Sequence, residues 1–179
     1  MSDLRVHKTK YINETKRVSF KYDGKNYFGY EGDTLASALL ANGVHLIGRS
    51  FKYHRPRGIM SCGSEEPNAI CQISDKNDLT EPNVRATELE IYNGLEAFSQ
   101  NCWPNVKFDI GGINNLISPL IPAGFYYKTF MWPKSFWKKV YEPLIRMSAG
   151  LGKSPTEPDP DIYDHKYVHY DVLVIGGGL

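Results

Sequence analysis

Hydrophobic and polar positions alternate near the start of the chain, and this pattern predicts a pair of strands. Residues 17–22 (RVSFKY) alternate in polarity, Asp23-Gly24 follows, and residues 26–31 (NYFGYE) continue the pattern. Alternation on both sides of an Asp-Gly pair is a strong short-range signal for a β-hairpin. The sequence therefore predicts two antiparallel strands joined by a tight turn.

The spacing of apolar residues becomes helical in residues 33–43 (DTLASALLANG). Asp33 or Thr34 can cap the N-terminus of a helix, and Asn42-Gly43 provides a C-terminal stop. The apolar positions of this segment are three leucines: Leu35, Leu39 and Leu40. We expect a helix of about ten residues that buries these leucines under a sheet.

Three further apolar runs predict strands at residues 44–48 (VHLIG), 69–74 (AICQIS) and 85–92 (RATELEIY). Proline and glycine interrupt residues 48–70 too often for a regular element, so this stretch is predicted to be a loop. The resulting order is hairpin, helix, strand, long loop, strand, strand. That order predicts an α+β fold in which a β-grasp sheet wraps one helix.

The second half of the chain is rich in aromatic residues and shows little alternation. Pro133 can occupy the first turn of a helix that ends near Gly150 and Gly152. The apolar positions of this predicted helix are Phe136, Val140, Leu144 and Met147. Such a dense set of aromatic residues is typical of buried structure or of a contact between domains or subunits.

The last residues resemble the opening of a nucleotide-binding unit. An apolar run at residues 172–175 leads directly into three glycines, as in the first strand and turn of a Rossmann βαβ unit. Gly176 and Gly178 are the candidate cofactor-binding residues. The sequence stops before the helix that would complete such a site, so we expect residues 166–179 to lack sheet neighbours.

These patterns together predict a five-part organisation. The parts are a flexible tail (1–14), a ferredoxin-like β-grasp domain (15–97), an aromatic helical connector (98–153), a Pro/Asp linker (154–165) and the start of a truncated dinucleotide-binding domain (166–179).

Composition limits the classes of protein to consider. The chain is 41% hydrophobic and 23% charged with a net charge of +1, values typical of a globular protein with no general affinity for polyanions. No apolar run approaches the roughly 20 residues that cross a membrane. The first fifteen residues are polar and do not form a secretory signal, so a cytoplasmic protein is predicted.

Cys62 lies where a plant-type [2Fe-2S] loop would place its first ligand. The C-x4-C-x2-C spacing would put the next two ligands at Pro67 and Ile70, which cannot bind iron, and Cys71 misses the register by one residue. We therefore expect no iron–sulfur cluster and no metal site. The three cysteines are odd in number and widely spaced, which argues against a disulfide framework.

A basic cluster in residues 49–57 has three possible roles. Its members are Arg49, Lys52, His54, Arg55 and Arg57. Pairing with Glu65 and Glu66, or an interface role, is favoured; contact with a small anion and binding of nucleic acid remain alternatives. The histidines show no metal-ligand spacing, and no catalytic set of residues can be assembled from the sequence.

Several long segments resemble the N-terminal part of the alpha subunit of heterotetrameric sarcosine oxidase. They are GDTLASALLANGVHLIGRSFKYHRPRGIMSCGSEEPNAI, PNVRATELEIYNGLEAFSQNCWP, PAGFYYKTFMWPKSFWKKVYEPLIRMSAGLG, EPDPD and YDVLVIGGGL. The resemblance covers nearly the whole chain from about residue 14.

The resemblance implies a structural, noncatalytic part of a flavoenzyme complex. That complex would demethylate sarcosine to glycine and hydrogen peroxide and pass the one-carbon unit to tetrahydrofolate. The implied partners are the beta, gamma and delta subunits and the rest of the alpha subunit, with neither nucleic acid nor membrane involved. The implied cofactors are NAD, FAD, FMN and tetrahydrofolate, with the NAD site incomplete in this chain. One alternative is a [2Fe-2S] electron-transfer module of a related amine or opine dehydrogenase or cyanide-forming complex. The other is a small-anion or nucleic-acid binding protein.

Overall fold

A five-stranded mixed sheet that packs against one helix forms the body of the protein. The computed structural model describes residues 4–5, 10–74, 80–116, 118–120, 124, 132–143, 145, 152, 154–159 and 162–175. The strands are β1 (Asn13–Tyr22), β2 (Lys25–Glu31), β3 (Gly48–Arg49), β4 (Pro56–Arg57), β5 (Ile70–Ser74), β6 (Thr80–Arg85) and β7 (Glu96–Ser99). The large sheet has the order β2-β1-β7-β5-β6, and β3 and β4 form a separate small sheet.

The predicted hairpin is confirmed. Strands β1 and β2 pair antiparallel, and the turn residues Asp23 and Gly24 both have positive φ, at 46° and 73°. A two-residue turn of this kind matches the right-handed twist of the flanking strands. Val18, Phe20 and Tyr22 point into the core, as period-two alternation requires.

The predicted helix is confirmed as α1 (Leu35–Ala41), with one correction to its buried face. Leu35 and Leu39 are fully buried, whereas Leu40 is 38% exposed. Residues 35 and 39 lie one turn apart on the same side of a helix, and residue 40 is rotated roughly 100° further round. Alanines fill the remaining inward positions: Ala36, Ala38 and Ala41.

Thr34 caps this helix, since its Oγ1 accepts a hydrogen bond from the backbone N–H of Ser37 at 3.2 Å. We expect Thr34→Ala to lower the free energy of unfolding by about 1 kcal/mol, the usual loss when a capping hydroxyl is removed. Urea denaturation would measure the change. Thr34→Ser retains the hydroxyl and serves as the control; an equal loss in both variants would show that the cap does not stabilise the helix.

The pairing of β1 with β7 is the long-range contact that completes the sheet. These strands run parallel, with Tyr22 opposite Ala97, and β7 also pairs antiparallel with β5. The predicted strand at 85–92 is wrong: β6 ends at Arg85, and the backbone N–H groups of Glu88 and Leu89 both bond to the Arg85 carbonyl in a turn. The short central strand β7 was missed.

The predicted strand at residues 44–48 is also corrected. Residues 44–47 have no regular secondary structure, and the chain pairs only at β3, with Gly48 opposite Arg57 and Arg49 opposite Pro56 of β4. The basic stretch predicted to be an irregular loop therefore begins as a small hairpin. Ile47 is nevertheless fully buried, which explains the apolar pattern.

The core lies between the large sheet and α1. It includes Phe20, Leu35, Leu39 and Leu95, and the half-buried Val44, Ile59, Val84 and Leu89 pack against it. This arrangement confirms the predicted α+β class and the ferredoxin-like β-grasp sheet. Leu4 and Arg5 lie in the segment expected to be a tail, and the backbone N–H of Leu4 donates to the Ala41 carbonyl at 2.9 Å.

Only short helical pieces follow the sheet among the described residues. They are a 3-10 turn (Ile110–Gly112), α2 (Ile113–Leu116), a second 3-10 turn (Ser118–Leu120) and a π-helical turn (Trp137–Tyr141). The last of these covers part of the helix predicted after Pro133. The predicted positions Leu144, Met147 and Gly150 lie outside the described residues.

The strand predicted at the end of the chain is not observed. Residues 162–175 have no regular secondary structure and are exposed. A strand needs a neighbour for its backbone hydrogen bonds, and no described residue pairs with this segment. Gly176 and Gly178 lie outside the described residues. Within the described ranges, no helix is long and apolar enough to span a lipid bilayer.

Candidate functional site

The loop between β4 and β5 is organised around the buried carboxylate of Glu66, which is 1% exposed. Four backbone N–H groups donate to it. The donors are Met60 (2.7 Å) and Ser61 (2.6 Å) to Oε2, and Asn68 (2.8 Å) and Ala69 (3.1 Å) to Oε1. Successive backbone N–H groups that converge in this way form a concave anion-binding nest. In this chain the bound anion is the protein's own side chain.

The nest keeps Glu66 ionised in spite of its burial. Burial raises the pKa of the carboxyl, but the hydrogen bonds from the backbone N–H groups of residues 61, 68, 60 and 69 outweigh it, and the net pKa is lowered. The expected pairing of Glu65 and Glu66 with arginines is wrong for the described residues, because no ion pair joins them. Hydrogen bonds from backbone N–H groups stabilise the Glu66 carboxylate instead.

Arg49 is the structural member of the basic cluster. Its guanidinium donates to three backbone carbonyls: Val106 (2.8 Å), Lys107 (3.1 Å) and His54 (3.2 Å). These bonds fasten the β3–β4 hairpin to the segment that follows the sheet. Since the guanidinium faces carbonyl oxygens, Arg49 does not present its charge to a phosphate, which weakens the small-anion and nucleic-acid alternatives.

His54 and Asp109 form a second link between the same two segments. His54 Nδ1 lies 2.6 Å from Asp109 Oδ2, and Asp109 Oδ1 accepts from the backbone N–H groups of Trp103 (3.0 Å) and Gly111 (3.2 Å). A Cβ at position 111 would collide with the His54 ring, so glycine is required there. The two residues are 55 positions apart, and no local spacing reveals the pair.

The three cysteines lie in different environments. Cys62 is exposed, Cys102 is half-buried, and Cys71 is fully buried in β5. Burial, with a smaller effect of the nearby Asp23, raises the pKa of Cys71 to about 12, against the opposing hydrogen bond from Tyr22. Burial also raises the pKa of Cys102, whose Sγ lies 3.3 Å from Ser99 Oγ. Cys71 and Cys102 therefore remain protonated thiols near neutral pH.

Two shallow grooves flank Phe28 on the sheet. One, of about 180 Å³, contains Arg5 and Arg17, and the other, of about 360 Å³, contains Lys21 and Glu96. The Arg17 guanidinium lies 3.8 Å from the Phe28 ring centre, and Lys21 is paired with Glu96. These grooves hold packed and paired side chains and contain no nucleophile with an adjacent base.

A protein-family model described as "2Fe-2S iron-sulfur cluster binding domain" matches residues 15–102. This match contradicts the cofactor expectation from the sequence. The matched family is described as binding an iron–sulfur cluster, whereas we expected no cluster in this chain. The finding also gives no support to NAD, FAD, FMN or tetrahydrofolate.

The described side chains do not fit such a cluster. A [2Fe-2S] cluster is held by four thiolates, or by two thiolates and two histidines. The chain has three cysteines, and one of them is a protonated thiol within the core. Among the described residues, no group of three or more histidine, cysteine or acidic side chains is placed to hold a metal ion. The described residues therefore offer no set of ligands for an electron-transferring cluster.

Curated relatives match almost the whole chain. Sarcosine oxidase subunit alpha of Rhizobium meliloti (strain 1021) is 56% identical over 99% of the chain, and that of Corynebacterium sp. (strain P-1) is 32% identical over 93%. The chain spans only 18% and 12% of the lengths of these relatives.

One solved structure, L-proline dehydrogenase from P. horikoshii, matches 52% of the chain and 17% of its own length, with 22% identity and a TM-score of 0.39. The long, high-identity match is to the curated relatives: over almost its whole length the chain is similar to part of the sarcosine oxidase alpha subunits.

Proposed function

We propose that this chain is a structural part of the alpha subunit of a multi-subunit sarcosine oxidase. The complete complex would oxidise the N-methyl group of sarcosine, giving glycine and hydrogen peroxide while the methyl carbon leaves as a one-carbon unit. The observation that carries the proposal is the 56% identity with the Rhizobium meliloti subunit over 99% of the chain. The relatives are named as subunits and are several times longer, so the catalytic groups are expected elsewhere in the complex.

The described residues support a noncatalytic role. Three hydrogen-bonded polar features, Glu66, Arg49 and the His54–Asp109 pair, all bind backbone groups or each other. They stabilise loops around the sheet, and among the described residues they leave no reactive group positioned over a cavity. We propose that the five-stranded sheet and α1 support the remainder of the alpha polypeptide, with the beta, gamma and delta subunits as further partners.

The end of the chain is proposed to begin a Rossmann-type domain. The apolar run at 172–175 and the glycines that follow support this proposal. Gly176 and Gly178 would then lie in the phosphate-binding turn, after a strand that forms when its sheet neighbours are present. The exposure of residues 172–175 is consistent with a strand that lacks those neighbours.

A chimeric enzyme tests the proposed function. The segment of the Rhizobium meliloti alpha subunit that matches this chain is replaced by residues 1–179, and the other subunits are co-expressed. We expect the chimera to assemble and to oxidise sarcosine within about tenfold of the natural rate, because substitutions away from reacting groups usually have small effects. Hydrogen peroxide release measures the activity.

The 179-residue chain alone is the matched control and is expected to give no peroxide from sarcosine. The proposal would be wrong if the chimera assembled but did not oxidise sarcosine. It would also be wrong if the isolated chain turned over the amine, since the catalytic groups would then lie within it.

A second candidate function, electron transfer, is favoured by the family match at residues 15–102. Iron and acid-labile sulfide analysis of the purified chain, together with its visible absorption, separates the two. Two iron atoms and two sulfides per chain would assign electron transfer. The cluster would then have to be held by side chains that the described structure does not bring together. Their absence in both the isolated chain and the chimera would leave the structural role.

A further inference from the structure

Apolar side chains are distributed unevenly between the two halves of the chain. Up to residue 99, large apolar side chains such as Phe20, Leu35, Leu39 and Leu95 are buried in the core. Beyond residue 100, Val106 is the one large apolar side chain that is buried among the described residues. Contiguous exposed apolar surface in a folded protein usually marks an interaction site.

Five of these exposed side chains lie close together in residues 103–116, and we call them the 103–116 patch. They are Trp103 (67% exposed), Phe108 (68%), Ile110 (42%), Ile113 (56%) and Leu116 (81%). The backbone N–H of Ile110 donates to the Trp103 carbonyl at 2.8 Å, which closes residues 103–110 into a compact loop. The 3-10 turn that contains Ile110 and helix α2, which contains Ile113 and Leu116, follow this loop without a break in the chain.

Polar contacts from β3 and from the loop between β3 and β4 hold the patch in place. Arg49 binds the carbonyls of Val106 and Lys107, and His54 binds Asp109. The Asn114 side chain also donates to the Lys52 carbonyl at 3.3 Å. These bonds connect residues 106–114 to β3 and to the loop between β3 and β4. A segment fastened in this way presents its apolar side chains as a preorganised surface, which lowers the entropy cost of docking.

We propose that the 103–116 patch is the docking surface for the part of the alpha polypeptide that lies outside these 179 residues. The inference rests on the proposed function, because it takes this chain to be one part of a longer subunit. The matched relatives carry more than four-fifths of their length outside the region they share with this chain. In a subunit of that length the remainder is joined covalently to the part that this chain matches, so its effective concentration at the patch would be far higher than that of a separate partner.

Charge defines the chemistry of the docking face. Arg55 and Lys107 are exposed beside the patch, and Arg55 Nε donates to Asn115 Oδ1 at 3.4 Å. A complementary face has apolar side chains at its centre and carboxylates at its rim, opposite these cations. The basic cluster thus has an interface role, with Arg49 supporting the surface and Arg55 at its edge.

Hydroxyl-radical footprinting of the chimeric enzyme measures the burial of the patch. In the isolated chain, Trp103, Phe108 and Leu116 are expected to be labelled readily. In the active chimera, we expect their labelling to fall at least about fivefold, because side chains at the centre of an interface are removed from solvent. Tyr11 and Met60, each 77% exposed and outside residues 103–116, are controls whose labelling should change little.

A photo-crosslinking residue at position 108 identifies the occupant. Crosslinks in the active chimera should reach alpha-chain peptides outside residues 1–179. Crosslinks to another subunit or to a second copy of the patch would overturn the proposal, and so would unchanged labelling of the patch in an active chimera.

Failure of the chimera to oxidise sarcosine would count against the proposed function, and the docking surface would still be tested. The same footprint on the intact Rhizobium meliloti enzyme then decides it, using the side chains that match the patch. Protected side chains in that enzyme support docking, whereas readily labelled side chains refute it.

Discussion

Replacing Glu66 by glutamine is expected to lower the free energy of unfolding at pH 7 by about 2–4 kcal/mol, because buried hydrogen bonds to a charged acceptor are lost. A carboxylate accepts from all four backbone N–H groups of the nest. A glutamine amide has one oxygen, and its NH2 group would face donors instead of acceptors. At least two buried N–H groups would lose their partner, and the loop between β4 and β5 should open.

The effect of Glu66 should depend on pH in a defined direction. Its pKa is lowered in the folded protein, mainly because backbone hydrogen bonds outweigh the effect of burial. The ionised carboxyl therefore stabilises the fold at pH values above its unfolded pKa of about 4.3, and this contribution disappears as the pH falls through the lower folded value. The difference between wild type and Glu66→Gln should therefore be largest near neutral pH and should shrink below about pH 4.

Urea denaturation at about pH 7, 4 and 3 would measure these differences. Glu65→Gln is the matched control, since Glu65 is adjacent but exposed, and it should change stability by less than about 0.5 kcal/mol. A Glu66→Gln variant as stable as wild type at pH 7 would show that the nest does not stabilise the loop. A loss that stayed constant with pH would assign the effect to side-chain shape and not to charge.

Local signals account for the elements that the sequence predicted well. Asp23-Gly24 and the alternation beside it define the β1–β2 hairpin, and Thr34 defines the start of α1. Both signals act between residues close in sequence. The ferredoxin-like arrangement followed because hairpin and helix come in the order that a β-grasp sheet requires.

Long-range contacts account for most of the errors. Strand β7 is four residues long, and it forms because β1 and β5 lie on either side of it. Its own sequence contains too little alternation to indicate a strand. Residues 85–92 do alternate, but after Arg85 they turn away from the sheet, where the Ile91 N–H bonds to the Asp33 carbonyl at 3.0 Å. The alternating pattern there reflects burial of Ile91 without strand pairing.

The contacts of Glu66 and Arg49 were only partly predictable, because they too are long-range or involve backbone groups. Sequence reasoning paired Glu66 with arginines because opposite charges lie nearby in the chain. In the structure, backbone N–H groups bind the Glu66 carboxylate, and no pattern of side chains can indicate these contacts. Arg49 likewise binds carbonyls of residues 106 and 107, more than fifty positions away.

The second large effect is expected at Asp33, which is fully buried directly before the cap of α1. Its carboxylate accepts from both terminal nitrogens of Arg5, from the backbone N–H of Tyr30 at 2.9 Å and from Ser37 Oγ at 2.7 Å. It thus joins the N-terminal segment, strand β2 and helix α1 at one point. We expect Asp33→Asn to lower the free energy of unfolding by about 3–5 kcal/mol, because the largely buried guanidinium of Arg5 loses its counter-charge.

Thermal and urea unfolding would measure the loss, and Glu31→Gln provides the matched control. Glu31 pairs with Lys16 at 2.9 Å, but the two side chains are 46% and 64% exposed, so solvent screens the pair and its removal should change stability little. Burial, and not the number of ion pairs, is the physical difference between the two variants. If Asp33→Asn and Glu31→Gln were equally mild, Arg5 would not require its carboxylate, and the link between residues 4–5 and the sheet would contribute nothing to the fold. If the predicted loss is found, a second substitution of Arg5 to methionine should recover part of it, because the unpaired charge is then removed together with its partner.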